Sequence, residues 1–119
     1  MSNLCGRPIY QKGLKPAKSM PIRNASAQAE CTLRIPGICT FDPSRSSGCH
    51  ARFFNFAGAA QKVDDLFLID GCDACHSILD QRSKWADAAL GWDDVLRALM
   101  LSQQRRRASG LIVLKGEAA

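Results

Sequence analysis

No run of apolar residues in this 119-residue chain approaches the roughly 20 needed to cross a bilayer, which argues against a transmembrane helix. The first 23 residues scatter lysines and arginines without the apolar core of a signal peptide, so the expected compartment is the cytoplasm. Aromatic residues are few, at 7%, and there are only two histidines; any imidazole chemistry rests on His50 and His76. No internal repeat is visible, which removes solenoid architectures. No recognition-helix pattern is visible either, so contacts with nucleic acid are expected to be tolerant of sequence or selective for shape.

What is present fits one small domain with a modest core. Six cysteines are many for a chain whose thiols are expected to stay reduced, and metal ligation is then a better use for them than disulfides. The net charge is +5 and unevenly spread. Residues 1–30 carry five Lys/Arg against one acid, residues 31–80 four against six Asp, and residues 81–119 seven against four acids. An acidic middle between basic ends fits a carboxylate-bearing metal site held between phosphate-attracting segments, although a merely solvating charge pattern fits about as well.

Residues 1–28 contain Pro8, Pro16 and Pro21 and show no periodicity, which predicts a flexible basic arm ahead of a folded domain at 29–119. Residues 31–35 alternate apolar and polar and read as a short strand. Pro36-Gly37 and Asp42-Pro43-Ser44 mark turns, and 46–48 continue as a loop toward Cys49-His50. Residues 66–69 read as a strand. After Cys72 the spacing of Cys75, Ile78, Leu79 and Arg82 predicts a helix with Asp73 as its N-cap. A second helix is expected from about Trp92 to Ala108, burying a stripe of Trp92, Val95, Leu96, Leu99 and Met100. Its acidic first turn and its arginines 105–107 suit the helix dipole. Gly110 ends it, and residues 111–114 read as a final strand.

Cys31-x7-Cys39 and Cys72-x2-Cys75 form two pairs that together supply the four soft donors of a tetrahedral structural Zn²⁺. The bend at Pro36-Gly37 brings the first pair together. A redox role for Cys72-x2-Cys75 is disfavoured, because no strand–helix thioredoxin pattern surrounds it. His76 and Asp80 stand four apart on the expected helix, so they share a face and can converge on one cation.

Three blocks resemble the YbcO-type prophage nucleases, small proteins of the HNH or His-Me finger (ββα-metal) class: residues 30–39 (ECTLRIPGIC), 49–52 (CHAR) and 72–82 (CDACHSILDQR), with a weaker match at 114–116. The resemblance implies an α+β, zinc-stabilised HNH-like domain with an additional C-terminal helix and short strand. It implies a metal-dependent endonuclease acting on DNA. His50 matches the general base, His76 a ligand of the catalytic Mg²⁺ or Mn²⁺, and Asp80 the second helical metal position. Asp65 is the best match for the residue that orients the base, and Arg52 and Arg82 are candidates for holding the scissile phosphate.

Cys49 stands where many HNH proteins carry a further metal ligand, so the metal site is expected to be weak, to recruit Asp64, Asp65 or Asp70, or to prefer a softer ion. Arg105, Arg106 and Arg107, with Lys12, Lys15, Lys18 and Arg23, are expected to supply phosphate contacts. The alternatives are a non-catalytic zinc-finger module that binds DNA and a structural zinc protein within a phage complex.

Overall fold

The computed structural model describes residues 13, 15–50 and 63–117. Its elements are helix α1 (Met20–Ser26), strand β1 (Ser46–His50), strand β2 (Leu68–Cys72), helix α2 (Asp73–Leu79) and helix α3 (Trp92–Ala108), with short 3₁₀ turns at Pro43–Arg45, Asp65–Phe67 and Arg82–Lys84. No helix among the described residues is long and apolar enough to cross a membrane. The result is a small α+β domain.

β1 and β2 pair antiparallel, from Ser46 opposite Cys72 to His50 opposite Leu68. The expectation of a loop at 46–48 is corrected. Ser-Ser-Gly-Cys-His has little strand propensity of its own, and the pairing with β2 extends it. β2 lies two residues later than the apolar run at 66–69 placed it, because Asp65–Phe67 forms a 3₁₀ turn capped by the Asp64 carboxylate. On one face of this hairpin Cys49 and Ile69 enter a core with Leu33, Cys75, Leu79, Trp85, Val95 and Ala98. The approach is close at Gly71, where a Cβ would stand 2.9 Å from the Cys49 sulfur and 3.3 Å from Leu33. A side chain there would have to displace the Cys49 sulfur.

Residues 31–35 are not a strand. Thr32 makes one strand-like attachment, its N–H and hydroxyl both donating to the Asp70 carbonyl at 2.8 and 2.7 Å. On the same outer edge the Asp70 N–H donates to the Ser102 hydroxyl of α3 at 3.0 Å. The ladder stops at these contacts.

α1 lies inside the segment expected to be a flexible arm. Ser19 caps it, accepting the Ile22 N–H, and Pro21 sits in the first turn, where its missing N–H costs nothing. Ile22 and Ser26 are buried against the hairpin. With seven residues it is too short to display an amphipathic period in sequence.

α2 follows β2 without a loop. Its N-cap is Cys72, whose sulfur accepts the Cys75 N–H, and not Asp73. Asp73 instead binds Arg45, joining the Pro43–Arg45 turn to the start of α2. The buried Trp85 indole N–H donates to the carbonyls of Ile78 and Leu79, closing the far end of the helix.

α3 is present over the expected residues, but its buried face is corrected. Trp92, Leu96 and Met100 are 42%, 58% and 58% exposed, while Val95, Ala98, Ser102 and Arg106 face inward. Val95 is buried and Leu99 partly buried as expected, but the edge of β2 is near enough that small residues meet it, and hydrophobicity alone misplaces Trp92, Leu96 and Met100. Gly110, at φ +80°, ends the helix in the left-handed conformation. Residues 111–114 form bends and coil with no strand.

Candidate functional site

The turn at 31–39 and the β2–α2 junction bring four thiols together. Cys31, Cys39, Cys72 and Cys75 offer sulfurs that all lie within 4.8 Å of one another, with Cys39 and Cys72 3.9 Å apart. Zinc–sulfur bonds of about 2.3 Å in a tetrahedron require sulfur–sulfur edges of about 3.8 Å, so the cluster has the size and donor chemistry of a Cys₄ metal site. Backbone N–H groups already point at two of the sulfurs: Phe41 donates to Cys39 and Cys75 to Cys72, both at 3.4 Å. The Cys75 thiol donates to Cys31 and draws that group down to about 4, while the same sharing holds Cys75 in its protonated form. A cation held by all four sulfurs would displace their remaining protons.

Cys49 stands apart. Its thiol is completely buried and makes only long contacts to the carbonyls of Ser47 and Gly71. Burial pushes its pKa up, and the charges of Cys31 and Asp80 add to the effect. It remains a small core residue.

At the opposite end of β1, His50 Nε2 lies 2.9 Å from Asp65 Oδ1. The Asp65 side chain is wholly buried, yet it has a full set of donors. Arg23 Nε and the Ser19 N–H each donate to Oδ2 at 2.7 Å, and Arg23 Nη2 donates to Oδ1 at 3.0 Å. The Arg23 guanidinium is the main cause holding the Asp65 carboxyl far below the usual range; burial opposes it, and Ser19 and His50 add to it. Asp65 is therefore a carboxylate, and a neutral His50 facing it must carry its proton on Nε2. That puts the ring lone pair on Nδ1.

His76 and Asp80 share one face of α2, with Nε2 and Oδ2 3.2 Å apart and both side chains partly exposed. α2 packs across both strands, and the Asp80 charge is felt at Cys49, the neighbour of His50.

The remaining acids are unequally placed. Asp65 is engaged as above. Asp70 accepts from Ser26, Arg105 and Arg106, and Asp64 caps its 3₁₀ turn. Asp65 and Asp70 thus already accept from arginines, whereas Asp64 accepts from a backbone N–H.

The expected phosphate contacts are redistributed. Arg106 is 2% exposed and holds Asp70 and Ser26 inside the domain; burial works against its charge and Asp70 offsets this. Arg106 is corrected from the surface to the core. Arg105 reaches the Glu30 carbonyl and Asp70, and Arg107 pairs with Glu117. Arg82 lies over the rings of Trp85 and Trp92, 4.4 and 4.6 Å from their centroids. Arg52 and Lys12 lie outside the described residues.

Arg23, read in sequence as a phosphate contact, is bound to Asp65 instead. Its partner lies 42 residues away, and no local signal announces it.

The model of a protein family described as "Putative nuclease YbcO" matches residues 20–110 of the chain. Two relatives, "Putative nuclease YbcO" of Escherichia coli (strain K12) and "Putative nuclease ybcO" of Enterobacteria phage 82, are each 33% identical over 82 residues, covering 69% of this chain and 85% of theirs. A solved structure described as "a putative bacteriophage protein from Escherichia coli str. K-12 substr. MG1655" is similar with a TM-score of 0.61 and 31% identity, over 76% of this chain and all of that one. The match begins at Met20, where α1 begins. The chain belongs to the family described as "Putative nuclease YbcO".

Proposed function

We propose that the chain is a metal-dependent endonuclease of the HNH (ββα-metal) type that hydrolyses phosphodiester bonds in DNA. The observation that carries this reading is the contact of His50 Nε2 with the buried Asp65 carboxylate at 2.9 Å, on the strand–strand–helix unit that also bears His76 and Asp80. An imidazole oriented through one nitrogen offers the other as general base to an attacking water. His76 and Asp80 are the side chains that would hold a divalent cation: an imidazole and a carboxylate on one helical face, in a donor set that suits Mg²⁺ or Mn²⁺. The ion, when bound, stabilises charge on the phosphate and the leaving oxygen.

Within this reading, Cys31, Cys39, Cys72 and Cys75 hold a structural zinc that fixes the 31–39 turn to the start of α2. Such a site belongs to the reducing cytoplasm. Arg52 and Arg82 are proposed phosphate contacts, and Arg105 and Arg107 remain candidates at the exposed end of α3.

Plasmid nicking with Mg²⁺ or Mn²⁺ tests the proposal. Wild type should cleave, and His50→Ala and His76→Ala should each lose roughly 100- to 10,000-fold of the rate, with the zinc content unchanged. Equal rates in all three proteins would remove His50 and His76 from the chemistry. The cysteine cluster by itself also suits a zinc module that binds DNA without cutting it. Salt-sensitive binding with no cleavage under either metal would favour that second reading.

A further inference from the structure

Asp65 has two carboxylate oxygens, and α1 occupies both of them. Ser19, the N-cap of α1, and Arg23 Nε take Oδ2; Arg23 Nη2 shares Oδ1 with His50. Arg23 therefore grips the carboxylate with two nitrogens of one planar fork, a geometry that fixes the plane of the acceptor as well as its place. The far end of α1 is fastened too, where the Ser26 hydroxyl donates to Asp70 Oδ1 at 2.7 Å. With α1 held at both ends, the direction in which Asp65 presents Oδ1 to His50 is set by the helix.

We infer that Arg23 is a positioning residue for His50, acting through Asp65, and that it touches neither substrate nor metal. The inference rests on the proposed role of His50 as base. Arg23 does two things. It prevents the Asp65 carboxylate from rotating, so that the His50 ring keeps one orientation. It also balances the Asp65 charge, so that the carboxylate accepts the Nε2 proton as a hydrogen bond and does not take it. The competing use for a basic residue in this segment is a phosphate contact. That use is opposed by the commitment of both Nε and Nη2 to Asp65.

The test compares wild type, Arg23→Ala, Arg23→Lys, Asp65→Ala and the Arg23→Ala/Asp65→Ala double variant. Single-turnover nicking with Mn²⁺ is measured beside DNA affinity at several salt concentrations. The imidazole spectrum of ¹⁵N-labelled protein is recorded without DNA; the chain has two histidines, so His50 is assigned by comparison with His76→Ala. Arg23→Ala should slow nicking roughly 10- to 100-fold and leave DNA affinity and its salt dependence unchanged. Arg23→Lys should recover part of the rate. The double variant should be no slower than Asp65→Ala, because the two residues act along one path. The His50 Nε2–H resonance should be sharp in wild type and broadened by exchange with water in Arg23→Ala.

Two results would overturn the inference. One is a full rate at saturating DNA with weakened, less salt-dependent affinity, which makes Arg23 a phosphate contact. The other is an unchanged His50 resonance in Arg23→Ala; should that variant not fold, the same comparison is made on Arg23→Lys, where an unchanged resonance has the same meaning. If wild type itself does not nick DNA, the nuclease reading fails, while the imidazole spectrum still decides whether Arg23 holds the partner of His50.

Discussion

The hairpin is stabilised differently on its two sides. On one side Cys49 and Ile69 meet leucines, a tryptophan and the cysteine cluster, where hydrocarbon and sulfur exclude water. On the other, carboxylates at Asp65 and Asp70 are buried and held by arginines from α1 and α3. Apolar packing tolerates exchange of one side chain for another of similar volume. A buried ion pair does not, since removing one partner strands the other charge. The difference teaches where orientation is specified in this domain: the charged side fixes directions, and His50 stands on that side through Asp65.

The largest expected effect would break the sulfur side. A structural zinc in a small domain contributes roughly 10–16 kcal/mol of apparent binding free energy at neutral pH. Chelation, or Cys72→Ser, should therefore abolish cooperative thermal unfolding by circular dichroism, together with the loss of about one zinc per chain. A chain that melts unchanged after chelation would leave the cysteine cluster as ordinary core.

Next comes the charged side. Arg106→Ala leaves the buried Asp70 with the Ser26 hydroxyl and, as cation, the more peripheral Arg105, and it should lower stability by about 3–5 kcal/mol in urea titration without releasing zinc. Loss of zinc in parallel would mean that the two sides are not separable.

Acid probes the same side. The folded-state pKa of Asp65 is depressed, chiefly by Arg23, so its contribution is complete above the unfolded value of about 3.9 and is lost as pH falls below it. Between pH 6 and pH 3 the wild-type melting temperature should drop further than that of Asp65→Asn. Both proteins carry the cysteine cluster, so the difference belongs to Asp65. Equal drops would remove Asp65 from the acid response.

A smaller effect is expected at the outer edge of β2. Ser102→Ala removes the acceptor of the Asp70 N–H and should cost about 1–3 kcal/mol in the same titration. Arg107→Ala, one residue along from Arg106 but exposed and paired with Glu117, should leave the melting temperature unchanged within error. The contrast between these adjacent arginines sharpens the comparison most directly.

These arginines also show what the sequence makes legible. Arg105, Arg106 and Arg107 read alike in a line of text, yet only a turn of 100° per residue around α3 and the distant Asp70 decide that the middle one is buried. The cysteine pairs were legible because ligand spacing is a local constraint that few other structures need. The existence of α3 was legible from length and periodicity, but of its inward face only Val95 and Leu99 were. Proximity to β2 favours Ala98 and Ser102 over the bulkier Leu96 and Met100. α1 left only a start signal, Ser19 with Pro21 just after it: seven residues cannot show a period, and its attachments lie at Asp65 and Asp70. His50 and Asp65 were singled out through a family resemblance, and the structure sets them in contact. The participation of Arg23 follows only from three-dimensional arrangement.

The side-chain closure of β2 has a consequence for the behaviour of the protein in concentrated solution. A two-stranded ribbon ordinarily exposes hydrogen-bonding groups along both margins, inviting strands of other molecules to add and the ribbon to lengthen into aggregates. At Asp70 that margin is already answered by Thr32 and the Ser102 hydroxyl. An incoming strand would first have to displace Thr32 and α3 there, so sheet growth is hindered at this point by the fold itself.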